Sequence, residues 1–70
     1  MENRIRELRR EHKWTQEQLA KAVGVSRQSI VAIEVGKYNP SLDLAFKIAR
    51  QFNLTIEDVF LFEGDETENV

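Results

Sequence analysis

The sequence predicts a compact all-α domain of five helices, and three observations support this prediction. Apolar residues recur at spacings of three and four along almost the whole chain, and alternation of apolar and polar residues nowhere runs long enough to identify a strand. Two glycines, Gly24 and Gly36, stand where a chain commonly leaves a helix in a left-handed conformation. Hydroxyl residues that can cap a helix start precede four of the apolar segments: Thr15, Ser26, Ser41 and Thr55.

These signals set the helix boundaries in order along the chain. The helices are predicted at residues 3–12, 16–23, 27–35, 42–52 and 56–61. The second start is the best marked, because Thr15 and Gln18 can form a reciprocal capping box while Trp14 and Leu19 can close over it as a hydrophobic staple. A loop follows the third helix, since Pro40 disfavours a helical conformation at the residue before it.

The end of the chain leaves two alternatives open. Residues 59–62 fit the end of a fifth helix, and they fit a short strand equally well. They also carry more apolar surface than one small domain should cover, which predicts a symmetric dimer interface at Phe60, Leu61 and Phe62. Residues 63–70 hold one apolar and no basic residue, so we expect a domain at 1–62 and a flexible acidic tail after it.

Composition narrows the class of protein. The net charge of the 70 residues is −2, but residues 1–50 hold ten basic and six acidic residues, a net of +4, and residues 51–70 hold six acidic residues and no Lys or Arg. With no cysteine, one histidine, no glycine-rich phosphate loop and no paired acids, we expect no enzyme, no cofactor and no metal site. No apolar run could span a bilayer, which predicts a cytoplasmic protein without a membrane partner.

Residues 15–36 form the segment that indicates function: a short helix, a three-residue turn at Gly24 and a second short helix, the helix-turn-helix pattern. Outward positions of the second helix of this pair carry candidate base contacts, because Arg can bind guanine and Gln adenine through two hydrogen bonds, while small apolar groups suit a thymine methyl. These candidates are Arg27, Gln28, Val31 and Ala32. Short polar side chains at the helix starts are candidate phosphate contacts: Thr15, Gln16, Ser26 and Ser29.

The run WTQEQLAKAVGVSRQSIVAIEVGK at residues 14–37, extended by NPSL at 39–42, resembles the lambda-repressor-like, Cro-type helix-turn-helix family. The resemblance covers residues 3–62. It implies a five-helix domain that binds operator DNA, with Arg27, Gln28 and Ala32 at base edges and with Gln16, Lys37 and Asn39 among the phosphate contacts. It also implies an ion pair between Arg9 and Glu34. The chain departs from the family pattern at Val35, where a polar residue is usual.

Together these features predict a sequence-specific transcriptional regulator, a repressor that binds an inverted-repeat operator in double-stranded DNA as a homodimer. Two alternatives stay open. An antitoxin-type regulator would add a toxin or another protein partner, for which the acidic tail is available. A helical protein-interaction module would not bind DNA at all, and the net negative charge is the feature that favours it.

Overall fold

The computed structural model describes residues 1–61, in which five helices and two short strands follow one another. Their bounds are β1 Glu2–Asn3, α1 Ile5–His12, α2 Gln16–Val23, α3 Arg27–Glu34, α4 Leu42–Gln51, α5 Ile56–Val59 and β2 Phe60–Leu61. Within this range, every helix is too short or too polar to cross a membrane. The predicted tail, at residues 63–70, and Phe62 lie outside the described residues.

Each predicted cap closes its helix in the same way. The side-chain oxygens of Thr15, Ser26, Ser41 and Thr55 accept hydrogen bonds from the backbone N–H three residues later. At Thr15 the capping box is complete, since Gln18 Oε1 accepts from the Thr15 N–H at 2.8 Å. These bonds confirm the starts predicted for α2, α3, α4 and α5. The starts were predictable because each cap bond joins residues only three positions apart.

The core lies where α2 packs against α3 and α4, with α5 against α4. Its fully buried large side chains come from every helix and from β2: Ile5, Leu19, Ile30, Ile33, Ile48, Val59 and Phe60. Trp14 covers one side of this core and stacks on Phe52, with 5.2 Å between ring centroids. This arrangement leaves the outer side of α3 free of the core.

The two ends of the described chain pair as strands, which corrects the helix boundaries predicted there. Glu2 lies opposite Leu61 and Asn3 opposite Phe60 in an antiparallel pair. The first helix therefore starts at Ile5, not at Asn3, and α5 ends at Val59, two residues earlier than predicted. A partner almost sixty residues away favours the extended conformation, and local periodicity carries no signal of it.

Strand geometry also corrects the place of Phe60. Successive side chains of a strand point to opposite sides, so Phe60 is 1% exposed in the core while Leu61 is 40% exposed. Phe60 was predicted at a dimer interface, but it packs inside its own chain. Of the predicted set, Leu61 alone lies on the surface of the described residues.

Arg4 fixes α1 against the end of α5. Its backbone N–H donates to the Val59 carbonyl at 2.8 Å, and its guanidinium donates to the Asp58 carbonyl at 3.1 Å. The Glu7 carboxylate, 3.3 Å away, accepts a hydrogen bond from the guanidinium and raises the pKa of Arg4. The strand pair is therefore continued by contacts at the start of α1.

Candidate nucleic-acid interface

The turn between α2 and α3 is set by Gly24. Its φ of 81° lies in the left-handed region, and its N–H and that of Val25 both donate to the Ala20 carbonyl, at 2.9 and 3.0 Å. Ala20 is 2% exposed where the two helices cross, and its small side chain permits close packing. The turn thus holds α3 at a fixed angle to α2, with the Ser26 cap at its start.

The outer side of α3 forms one shallow groove with the start of α2 and the loop after α3. Arg27 and Gln28 are exposed at the N-terminal end of α3, and Val31 and Ala32 are partly exposed one turn later. We call this groove the recognition surface; its residues are Gln16, Arg27, Gln28, Val31, Ala32, Val35 and Lys37. It brings two side chains with paired hydrogen-bonding groups next to a small apolar strip, and groups of both kinds can contact base edges in a major groove.

The candidate phosphate contacts fall into two groups. Gln16 and Lys37 flank the recognition surface, whereas Asn39 is exposed in the following loop and lies outside the groove. The hydroxyls of Thr15 and Ser26 cap helices and accept from the Gln18 N–H at 3.0 Å and the Ser29 N–H at 3.1 Å. The Ser29 hydroxyl lies 3.1 Å from that of Ser26. The Thr15 hydroxyl keeps its O–H to donate, whereas the bond between the Ser26 and Ser29 hydroxyls uses one of their two O–H groups.

Arg9 and Glu34 form the most buried of the ion pairs found in residues 1–61. Arg9 donates from Nε to Glu34 Oε2 at 2.7 Å and from Nη2 to Oε1 at 3.3 Å, and the two side chains are 13% and 5% exposed. Arg9 also donates to the Trp14 carbonyl at 2.9 Å, and Gln16 Nε2 donates to Glu34 Oε1 at 3.2 Å. These bonds tie the end of α3 to α1 and to the start of α2.

Two arginines of α1 lie beside the candidate contacts on α2 and α3. Arg6 and Arg10 are exposed on α1 and line a concave surface that also includes Arg27 and the start of α2. They stand four residues apart, which places them on one side of the helix and is a signal that the sequence offers. Positive charges grouped beside the recognition surface favour contact with a phosphate backbone.

Asn3 is a residue that sequence reasoning missed. Its Nδ2 donates to the Ile33 carbonyl in the last turn of α3 at 2.8 Å, and its Oδ1 accepts from the Ile5 N–H at 3.1 Å. No local motif identifies this residue, since Ile33 is thirty positions away. In the part of the chain described, residues 1–61, no group of His, Cys, Asp or Glu side chains could hold a metal ion.

Comparison with known proteins places this geometry among transcriptional regulators. A family model described as helix-turn-helix matches residues 5–59. An uncharacterized HTH-type transcriptional regulator of Methanocaldococcus jannaschii is 59% identical over 66 residues, which cover 94% of this chain and 100% of the relative. The immunity repressor protein of Bacillus phage phi105 is 36% identical over 64 residues, which cover 91% of this chain and 42% of the phage protein.

Among solved structures, the biofilm master regulator SinR in complex with DNA is similar to this chain, with a TM-score of 0.70 and 25% sequence identity. The alignment covers 77% of this chain and 87% of the SinR chain.

Proposed function

We propose, because this chain belongs to the Cro/C1-type helix-turn-helix family of transcriptional regulators, that it represses transcription by binding an inverted-repeat operator as a homodimer. The observation that carries the proposal is the recognition surface, where Arg27 and Gln28 are exposed at the start of α3. With α3 in the major groove, these two side chains would read a guanine and an adenine, and Val31 and Ala32 would contact a thymine methyl.

Backbone contacts would hold α3 in register on the duplex. Gln16 and Lys37 lie at the edges of the recognition surface, and Arg6 and Arg10 continue the positive charge along α1. Phosphate contacts of this kind supply affinity without sequence information. The net charge of −2 does not oppose this arrangement, because all ten Lys and Arg residues lie in positions 1–50.

Repression is the direction of regulation that the comparisons favour. The phage relative, 36% identical, carries the name immunity repressor protein. A domain that occupies an operator can act by keeping other proteins from the same DNA. The DNA-binding domain proposed here spans residues 1–62.

Because Phe60 is buried, we propose that the dimer interface lies on an exposed apolar surface of α4. Leu42 and Phe46 are 74% and 54% exposed and stand one turn apart on α4. A small apolar groove beside Leu42 is lined by Met1, Pro40, Ala45, Ile56 and Phe60. We call Leu42, Phe46 and this groove the apolar face. It shares no residue with the recognition surface, so a second copy bound here would leave α3 free for DNA.

Charges around the apolar face suit pairing with its own copy. Arg50 and Asp58 border the cleft beside Phe46, and Lys47 pairs with Asp43 at 3.3 Å. Both signs therefore lie on one patch, and a two-fold axis can bring the basic side of one copy to the acidic side of the other. Two copies would place their α3 helices about 34 Å apart, one turn of DNA.

A charged residue in the apolar face should break the dimer. We expect Leu42→Glu to sediment as a monomer at micromolar concentration, because the new carboxylate would lose its water on association. Affinity for the full operator should fall while affinity for a single half-site persists. Ala22→Glu, which adds the same charge at an exposed position of α2, should remain a dimer. A wild-type monomer at this concentration, or a dimeric Leu42→Glu, would contradict the proposal.

Selection from random duplex DNA, followed by a salt series on the enriched site, tests the function as a whole. We expect an inverted repeat whose half-sites lie about 10 base pairs apart, and a steep linear fall of log affinity with log salt concentration. No enrichment together with a flat salt dependence would favour the protein-interaction module. The antitoxin alternative depends on residues 63–70, which lie outside the described residues, and no contact among residues 1–61 favours it.

A further inference from the structure

We infer that Asn3 is a positioning residue for DNA recognition: its side chain anchors the C-terminal end of α3, so sequence discrimination depends on a residue outside the recognition surface. The inference rests on the proposed function, because it assumes that α3 reads base edges. Asn3 stands in β1, and the groove residues of α3 do not include it.

Both the nitrogen and the oxygen of the Asn3 side-chain amide form hydrogen bonds, which fixes the orientation of the amide. Its Nδ2 donates to the Ile33 carbonyl at 2.8 Å and its Oδ1 accepts from the Ile5 N–H at 3.1 Å. If the amide were turned over, its oxygen would face the Ile33 carbonyl oxygen and its NH₂ group would face the Ile5 N–H. Only the observed orientation therefore satisfies both partners. The backbone of Asn3 is held in turn by its pairing with Phe60.

The anchored end of α3 is the end that needs external partners. The last four carbonyls of a helix have no N–H partner within the helix. Ile33 is the penultimate residue of α3, and its carbonyl accepts from the Gly36 N–H at 3.0 Å as well as from Asn3. Its neighbour Glu34 is held by Arg9 from α1, while Ile33 is held by Asn3 from β1. Two different elements therefore set the position of the helix end, whereas the Ser26 cap at the other end is a contact within the helix start itself.

The substitution Asn3→Asp tests the hydrogen bond from Asn3 to the Ile33 carbonyl separately from the bond to Ile5. The aspartate keeps an oxygen for the Ile5 N–H, but it loses the donor to the Ile33 carbonyl and places a negative charge at the negative end of the helix dipole. Asn3→Ser also keeps an acceptor near Ile5 and is too short to reach Ile33. Both variants should therefore release the end of α3 while keeping the start of α1.

The binding test compares affinity for the operator selected by the wild type with affinity for a scrambled duplex of equal length. We expect the ratio of the two affinities to fall about tenfold in both variants. Gln51→Glu, which makes the same amide-to-carboxylate change at an exposed position of α4, should keep the wild-type ratio. An unchanged ratio in either folded Asn3 variant would overturn the inference.

Amide hydrogen exchange of the free protein gives a second readout that needs no operator. The N–H groups of Val35, Gly36 and Lys37 bond to carbonyls in the last turns of α3, and we expect them to exchange at least about fivefold faster in Asn3→Ser, with Ser29 and Ile30 unchanged. A uniform increase along the chain would show a general loss of stability and would overturn the inference. If the wild type selected no operator, the proposed function would fail, and this exchange pattern would still decide the role of Asn3.

Discussion

Alanine at both Arg27 and Gln28 should remove most of the ability to tell the operator from other DNA. Each side chain can make a pair of hydrogen bonds to one base, and each such pair is worth about 1 to 3 kcal/mol of discrimination. We therefore expect operator affinity to fall by about 100-fold or more, while affinity for scrambled DNA falls only by the loss of one positive charge. Competition binding at one fixed salt concentration measures both values.

Matched lysine variants separate base reading from charge. Lys37→Ala should weaken operator and scrambled DNA by the same factor and make the salt dependence shallower, since Lys37 is placed at the edge of the recognition surface. Lys21→Ala removes the same charge from an exposed position of α2 and should have little effect. Should the Arg27 and Gln28 double variant keep its discrimination, the assignment of base contacts to these residues would be wrong.

Glu34→Ala should cause a large loss of both stability and operator affinity. It would leave the Arg9 guanidinium, 13% exposed, without its carboxylate, and it would remove the acceptor for Gln16 Nε2 as well. Breaking a buried pair from one side costs about 3 to 5 kcal/mol, so the melting temperature should drop by more than about 10 °C. Thermal unfolding followed by circular dichroism measures the loss, and binding at a temperature where the variant is folded measures affinity.

Two further variants identify the cause of that loss. Glu17→Ala removes an exposed carboxylate on the neighbouring helix and should leave the melting temperature within a few degrees of the wild type. Replacing Arg9 and Glu34 together by methionine removes both charges and should restore part of the stability without restoring affinity, because the directed bonds that hold the end of α3 are absent. Equal melting temperatures for Glu34→Ala and Glu17→Ala would rule out a stabilising role for the ion pair.

The parts of the fold that could be predicted are those determined by neighbouring residues. The second helix has the predicted bounds because its start depends on Thr15 and Gln18 and its end on Gly24, all within ten positions. The same is true of the starts at Ser26, Ser41 and Thr55. The α3 residues of the recognition surface could be predicted from the sequence for the same reason, since the spacing of exposed positions on a helix follows from helical periodicity.

The parts that could not be predicted depend on partners far along the chain. Phe60 was assigned to an interface because local sequence shows only an apolar run, whereas its burial depends on a strand that begins at Glu2. Asn3 was placed inside the first helix, and its bond to the Ile33 carbonyl needs the whole domain to be assembled. The contact between Arg9 and Glu34, 25 positions apart, came from family resemblance and not from periodicity.

The pairing of β1 with β2 brings the two ends of the described residues together. Glu2 and Leu61 are neighbours in space although 59 positions separate them, whereas α2 and α3 are joined by three residues. Closing a longer loop costs only about 0.6 kcal/mol for each doubling of its length, so this closure weighs little on stability. Pairing β1 with β2 has a larger effect on the folding rate, because contacts between positions far apart in sequence slow folding. We therefore expect the helix pair to assemble early from local contacts, and the paired strands, with Asn3 in one of them, to complete the support of α3 afterwards.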